Sequence, residues 1–181
     1  LERYISANYQ SYNEMNGDNI NDVFVDESKR IWLANYPTGI TVIDYRYENY
    51  HWMKHSMGNK QSIVNDQVHA VIEDSDGDLW FGTSNGISLY NSETGEWHSF
   101  LSSFNHQLKD KNHIFITLCE VSPGIIWAGG YTSGIYKINK ADLSVEYFSP
   151  YLLSHINMRP DKYIRDMIKD SKGHIWSGGY Y

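Results

Sequence analysis

The sequence predicts an all-β protein in which one structural unit is repeated along the chain. Tryptophan recurs at intervals of 48, 47 and 49 residues, at Trp32, Trp80, Trp127 and Trp176. A small residue follows each tryptophan by two positions, at Ala34, Gly82, Gly129 and Gly178. A period of this length with strand-like content is typical of β-propeller blades. We therefore expect blades of four antiparallel strands.

The composition agrees with a folded β protein. The chain has 181 residues, of which 41% are hydrophobic and 15% aromatic, enough for one domain with a core. Fifteen tyrosines and six tryptophans outnumber four prolines and five methionines. Aromatic residues favour pleated, half-buried surfaces, so we expect almost no helix.

Charge and cysteine content exclude several classes of function. The formal net charge of −7 and the absence of clustered Lys and Arg argue against a nucleic-acid partner. Cys119 is the only cysteine, which excludes an intrachain disulfide and a cluster of metal-binding cysteines. No apolar run is long enough to span a membrane, so we expect no membrane segment in this piece.

The second repeat shows the four strands most clearly. An apolar run at Val68–Glu73 is followed by the turn Asp74–Asp78 and a second strand at Leu79–Gly82. Further strands are expected at Ile87–Tyr90 and Glu96–Phe100. Glycine and aspartate in the connecting segments are typical of hairpin turns.

Residues 1–181 are predicted to be a propeller fragment of three complete blades and two half blades. The segments are a half blade at 1–12, blades at 20–53, 67–100 and 113–148, and a half blade at 163–181. Because the sequence opens in mid-repeat, we expect it to be a piece of a longer protein.

The repeated tryptophans are interpreted as structural. A flat indole on the second strand can fill the wedge between neighbouring blades, and we expect the small residue beyond it to leave room there. The acidic turn at Asp74–Asp78 is not an EF-hand, because Leu79 and Asn85 stand where Gly and Glu are needed. We expect no metal and no cofactor.

The residues from Val68 to Leu89 resemble the two-component regulator propeller repeat, with its Asp, turn Gly, Trp-x-Gly-Thr and a Gly that opens the third strand. Carried over by position, that last Gly is Gly39, Gly86 and Gly134. The third repeat departs from the pattern, since Val121 replaces the Asp. The resemblance implies a periplasmic ligand-sensing region of a bacterial hybrid two-component regulator. It also implies glycan fragments as ligands, and a histidine kinase that this piece does not contain.

A ligand is expected on the face that carries the loops between the second and third strands and between consecutive blades. Sugars present apolar faces ringed by hydroxyls, so aromatic side chains beside amides and guanidinium groups suit them. We predict an oligosaccharide site at Tyr36, Asn85, Tyr131 and Arg159.

Two other functions are weighed against sensing. A scaffold for protein interaction or dimerisation is the stronger rival. A propeller lyase or glycan-cleaving enzyme is the weaker one, because the eight histidines do not recur at matched positions. We therefore predict that this segment is not an enzyme.

The open ends of such a fragment need a partner. We expect the two half blades to join into a four-bladed ring, or the remainder of the sensor protein or a second copy to close the propeller.

Overall fold

The computed structural model describes residues 19–37, 39–44, 49–103, 113–148 and 163–179. Within these ranges there are fourteen β-strands and no helix, which confirms the all-β prediction. The strands are β1 Asn19–Val25, β2 Ile31–Tyr36, β3 Gly39–Asp44, β4 Asn49–Met53, β5 Val68–Glu73, β6 Leu79–Thr83, β7 Gly86–Tyr90, β8 Trp97–Phe100, β9 Phe115–Ser122, β10 Ile125–Gly130, β11 Gly134–Asn139, β12 Ser144–Phe148, β13 Ile164–Lys169 and β14 Ile175–Gly179. In this part of the chain there is no helix that could serve as a membrane span.

The strands form propeller blades. Three antiparallel sheets have the strand orders β1-β2-β3-β4, β5-β6-β7-β8 and β9-β10-β11-β12, and β13 pairs with β14. The first strands of successive blades contact one another, β1 with β5, β5 with β9 and β9 with β13. The half blade predicted at 1–12 lies outside the described residues, and with it the predicted closure of the ring.

The Asp of the repeat holds both the hairpin turn and the tryptophan. In the second blade, Asp74 Oδ1 accepts hydrogen bonds from the backbone N–H groups of Asp76 and Asp78 at 3.0 and 3.1 Å. Its Oδ2 accepts the indole N–H of Trp80 at 2.8 Å. The same indole–carboxylate bond joins Trp32 to Asp26 at 3.0 Å and Trp176 to Asp170 at 2.9 Å. A buried indole N–H is thereby satisfied without water.

The third blade, which lacks this Asp, uses Glu120 instead. Glu120 Oε1 accepts the N–H of Gly124 in its own turn at 2.9 Å. The same carboxylate accepts the backbone N–H and the hydroxyl of Ser75 from the preceding blade, each at 2.9 Å. In the blade that lacks the repeat's Asp, Glu120 therefore links the turns of two neighbouring blades by hydrogen bonds.

Burial of the repeated tryptophans depends on their position in the array. Trp32 and Trp80 are 1% and 0% exposed and lie in the apolar cores between the first and second and the second and third blades. Trp127 is half-buried and packs on Phe148, with ring centroids 4.7 Å apart. Trp176 is 63% exposed, so it does not fill a wedge between described blades.

The small residue after the tryptophan makes room for the first strand of the next blade. A Cβ at Gly82 would lie 2.8 Å from the carbonyl oxygen of Phe115, and one at Gly129 would lie 2.6 Å from Cγ2 of Ile164. Phe115 and Ile164 occupy matching positions in the first strands of the following blades. Close approach of these strands therefore requires glycine.

The glycine that opens each third strand has a positive φ. The angles are 104° at Gly39, 100° at Gly86 and 76° at Gly134. At Gly86 a Cβ would lie 2.5 Å from the carbonyl oxygen of Phe100. Both the backbone angle and the lack of space exclude a side chain there.

Candidate functional site

Each first strand carries a β-bulge at the same position of the repeat. The pairing with the second strand skips one residue in each blade: Asn21, His69, Ile116 and Arg165. Each of these residues stands eleven positions before its tryptophan. A bulge leaves the extra residue out of the ladder and redirects its side chain.

The four bulge residues line one axial cleft of about 650 Å³. Two further positions of the repeat also contribute side chains to the cleft: one lies thirteen residues before the tryptophan, and the other lies four residues after it. The lining residues are Asn21, Tyr36, Gln67, His69, Ser84, Ile114, Ile116, Tyr131 and Arg165. Backbone hydrogen bonds of 2.9 Å, from Ser84 N to Gln67 O and from Tyr131 N to Ile114 O, join these positions within a blade.

Two aromatic pairs lie in or beside this cleft. Tyr36 packs near His69 with ring centroids 6.1 Å apart. Tyr131 makes an edge-to-face contact with Tyr163 at 5.3 Å. Tyr36 and Tyr131 are 37% and 44% exposed, so their rings are accessible to a ligand.

The polar groups of the cleft are held in defined places. His69 Nε2 lies 2.8 Å from Ser84 Oγ, and burial lowers the pKa of the imidazole. The His69 ring is therefore neutral near pH 7, with a donor and an acceptor nitrogen. Asn21 donates its Nδ2–H to the carbonyl oxygen of Val68 at 3.1 Å. Arg165 is exposed and brings the positive charge to the lining.

A second cavity of about 340 Å³ shares Asn21, His69 and Ile116 with the cleft and is also lined by Asp22, Thr117 and Asp166. Asp22 Oδ2 accepts the N–H of Val71 at 3.2 Å, and Thr117 Oγ1 accepts that of Met167 at 3.1 Å. These bonds tie first strands of neighbouring blades. Burial, with a smaller contribution from the charge of Asp166, raises the pKa of Asp22. Two carboxyl groups line this cavity, whereas none is among the residues that line the cleft.

The structure brings together two of the four predicted ligand residues. Tyr36 and Tyr131 both line the cleft. Asn85 is not among the lining residues, and its Oδ1 accepts the N–H of Ser103 at 3.0 Å. Arg159 lies outside the described residues. Sequence reasoning missed Asn21, Gln67, His69, Ser84 and Arg165 as a set, although alignment of the repeats on tryptophan shows the bulge position changing type in every blade.

The connection after the first blade, expected on the recognition face, packs as part of the fold. Ile63 is fully buried in the core between the first two blades. His55 Nδ1 lies 2.8 Å from the carbonyl oxygen of Ile63, and Val64 donates its N–H to Ser88 Oγ at 2.9 Å. These contacts explain why the segment does not contribute to the cleft.

The acidic turn of the second blade is neutralised by a lysine of the third. Lys140 Nζ lies 2.7, 2.8 and 3.0 Å from carboxylate oxygens of Asp74, Asp76 and Asp78. The three carboxylates raise the pKa of Lys140 despite its partial burial. Within the described ranges, no group of three or more His, Cys, Asp or Glu side chains could hold a metal ion.

The repeat geometry agrees with the comparison with known families. The Two component regulator propeller model matches residues 62–85, which contain β5, the turn and β6 of the second blade. This chain carries the two component regulator propeller repeat. A search of curated proteins finds no match to the sequence.

Solved structures with the propeller fold resemble larger parts of the chain. The extracellular domain of a B. thetaiotaomicron protein described as a hybrid two component system has a TM-score of 0.74 and 21% identity over 90% of this chain. A second extracellular domain from B. thetaiotaomicron, described as a one component system, has a TM-score of 0.72 and 19% identity over 96% of this chain. This chain covers only 21% and 24% of the length of those two chains.

An enzyme shares the architecture. Virginiamycin B lyase from Staphylococcus aureus has a TM-score of 0.64 and 16% identity, with coverage of 87% of this chain and 47% of the lyase. At such identities the likeness shows the fold alone. The propeller architecture is therefore common to sensor domains and to a lyase, and it does not identify a reaction.

Proposed function

We propose that this chain is a ligand-sensing segment of the extracytoplasmic region of a hybrid two-component regulator, and that its axial cleft binds a glycan fragment. The family repeat and the likeness to extracellular domains of such systems support the sensor part. In this proposal a histidine kinase elsewhere in the protein receives the signal.

One observation carries the glycan part: accessible aromatic rings and fixed hydrogen-bonding groups from separate blades converge on one cleft. Tyr36 and Tyr131 offer flat apolar surfaces that suit the C–H faces of sugar rings. Gln67, His69 and Ser84 supply donors and acceptors for hydroxyl groups. A volume of about 650 Å³ is in the range of ligand sites and suits a short oligosaccharide.

Calorimetric titration of the 181-residue chain with a panel of oligosaccharides tests this function. We expect binding by at least one member, weakened roughly tenfold by Tyr36→Ala or Tyr131→Ala, because each removes an aromatic contact. Tyr147→Ala is the matched control, since Tyr147 is an exposed tyrosine on the outer strand β12. No binding by any glycan, or equal losses in all three variants, would refute the proposal.

A second function, association with further blades or a second copy, is favoured by the two ends of the array. Val23 and Val25 on β1 are exposed, as are Ile168 on β13 and Trp176 on β14. Exposed apolar faces of this kind mark interaction surfaces. Sedimentation at several concentrations tests self-association: a mass that rises with concentration in the parent chain, and not in Trp176→Glu, supports a second copy. A monomer mass at every concentration excludes a second copy.

A further inference from the structure

We propose that the bulge residue of each first strand determines the specificity of the cleft, and that Arg165 at this position selects ligands that carry a carboxylate, such as oligosaccharides containing uronic acid. The inference rests on the proposed function, because it names the class of glycan that the cleft prefers.

The residues on either side of the bulge are constrained by the contact between neighbouring blades. In the third blade, Phe115 precedes Ile116 and lies against Gly82, while Thr117 follows it and accepts a hydrogen bond from the next blade. In the fourth blade, Ile164 precedes Arg165 and lies against Gly129. The intervening residue is the one that the pairing with the second strand skips, and its side chain lines the cleft.

The bulge position carries a different type of side chain in each blade. The four blades present an amide, an imidazole, an alkyl group and a guanidinium to the same cleft. The tryptophan, by contrast, is the same in all four repeats. Variation at an equivalent position that faces a cavity is the pattern expected of residues that read a ligand.

Arg165 brings a positive charge to the cleft. The chain has a net charge of −7, and the adjoining second cavity is lined by Asp22 and Asp166. An anionic group would be repelled from that cavity and held at the level of Arg165. A guanidinium forms two parallel hydrogen bonds to a carboxylate, which a neutral hydroxyl does not reproduce.

An aromatic ring that suits a sugar lines the same cleft as this charge. Tyr163 precedes Arg165 by two residues and contacts Tyr131 edge to face. Arg165, Tyr131 and the apolar Ile116 line the same cleft. A uronate could rest its C–H face on Tyr131 and direct its carboxylate to Arg165.

The test uses pairs of probes that differ in the carboxylate alone: oligosaccharides of galacturonate, glucuronate and mannuronate, and their carboxyl-reduced neutral counterparts. We expect the parent chain to bind at least one acidic member about tenfold more tightly than its neutral counterpart. Arg165→Gln should abolish this preference. Lys137→Gln, which removes the same charge from the third strand β11, outside the cleft, should retain it.

A charge relocation tests whether the bulge positions are equivalent. Arg165→Ile should lose the acidic preference, and the double variant Arg165→Ile with Ile116→Arg should regain it. Urea unfolding of each variant establishes that it is folded. Equal binding of acidic and neutral probes by the parent chain, a preference that survives Arg165→Gln, or a double variant no better than Arg165→Ile would overturn the inference while leaving glycan binding intact. Failure of every glycan to bind would overturn the proposed function itself.

Discussion

The blade junctions and the axial cleft are built from the same four repeats, but they differ in what the repeats hold constant. The indole–carboxylate bond recurs in three blades with lengths of 2.8 to 3.0 Å, and in two of them the tryptophan is buried at a junction. In the cleft, the bulge position carries a different type of side chain in every blade. The difference indicates that the junctions maintain the fold and leave the cleft free to vary.

The largest expected effect separates a buried tryptophan from an exposed one. Trp80→Ala should lower the free energy of unfolding by about 3–5 kcal/mol, since it leaves a cavity in the core and removes one hydrogen bond from Asp74. Trp176→Ala should cost under about 1 kcal/mol, because Trp176 is 63% exposed. Urea denaturation followed by circular dichroism measures both. Equal losses would show that the junctions do not depend on burial of the indole.

A somewhat smaller loss is expected when the lysine between two blades is removed. Lys140→Met leaves the buried carboxylates of Asp74 and Asp78 without their cation and should cost about 3 kcal/mol. The control is Lys137→Met, whose 3.7 Å pair with Glu146 is exposed and should contribute less than about 0.5 kcal/mol. The same urea experiment compares them. If both variants matched the parent chain, Lys140 would not stabilise this junction.

Acid should weaken the junctions through Asp74. Burial alone would raise the pKa of Asp74, but hydrogen bonds from Lys140, Trp80 and the Asp78 amide outweigh it and lower the pKa below the usual 3.8. A carboxyl with a lowered folded pKa contributes stability that is present above the unfolded pKa and is lost as the pH falls through the folded pKa. At pH values below about 4, the urea concentration at the unfolding midpoint of the parent chain should therefore decrease. Asp74→Asn should be less stable at neutral pH and should show a shallower acid loss; an equally steep loss would contradict this assignment.

The smallest effect is expected in the cleft. Arg165→Gln should change the free energy of unfolding by no more than about 0.5 kcal/mol, since Arg165 is exposed and its backbone is held by neighbouring residues. Thermal or urea unfolding checks this value. A loss comparable to that of Trp80→Ala would mean that the bulge residue supports the fold instead of reading a ligand.

Much of the fold could be predicted from the sequence because the junction residues recur. The strand expected at Val68–Glu73 is observed with those bounds, and that expected at Leu79–Gly82 extends one residue further, to Thr83. The small residue was expected to leave room between blades; that Gly82 admits the first strand of the next blade, which begins at Phe115, is seen only in the structure. Contact between blades is a tertiary property that periodicity does not reveal.

The cleft was harder to predict for the opposite reason. Tyr36 and Tyr131, which line the cleft, were predicted because aromatic residues in loops favour a sugar site, and their contact with a ligand stays a prediction. His69 and Arg165 lie within first strands, and a bulge there depends on how two strands pair. Asn85 was a plausible loop amide, but its side chain holds the backbone of Ser103. The residue type at the bulge position differs between repeats, so it does not stand out as a repeated motif. Its constant spacing of eleven residues before the tryptophan nevertheless marks it.

Amide hydrogen exchange of the 181-residue chain, with and without a saturating oligosaccharide, tests most directly whether the cleft is the recognition site. The account predicts slower exchange in the first strands β1, β5, β9 and β13 around their bulges, where side chains from four blades meet the ligand. It predicts no change in the outer strands β4, β8 and β12. Protection confined to the outer strands, or to the exposed end of the array at β14, would contradict it.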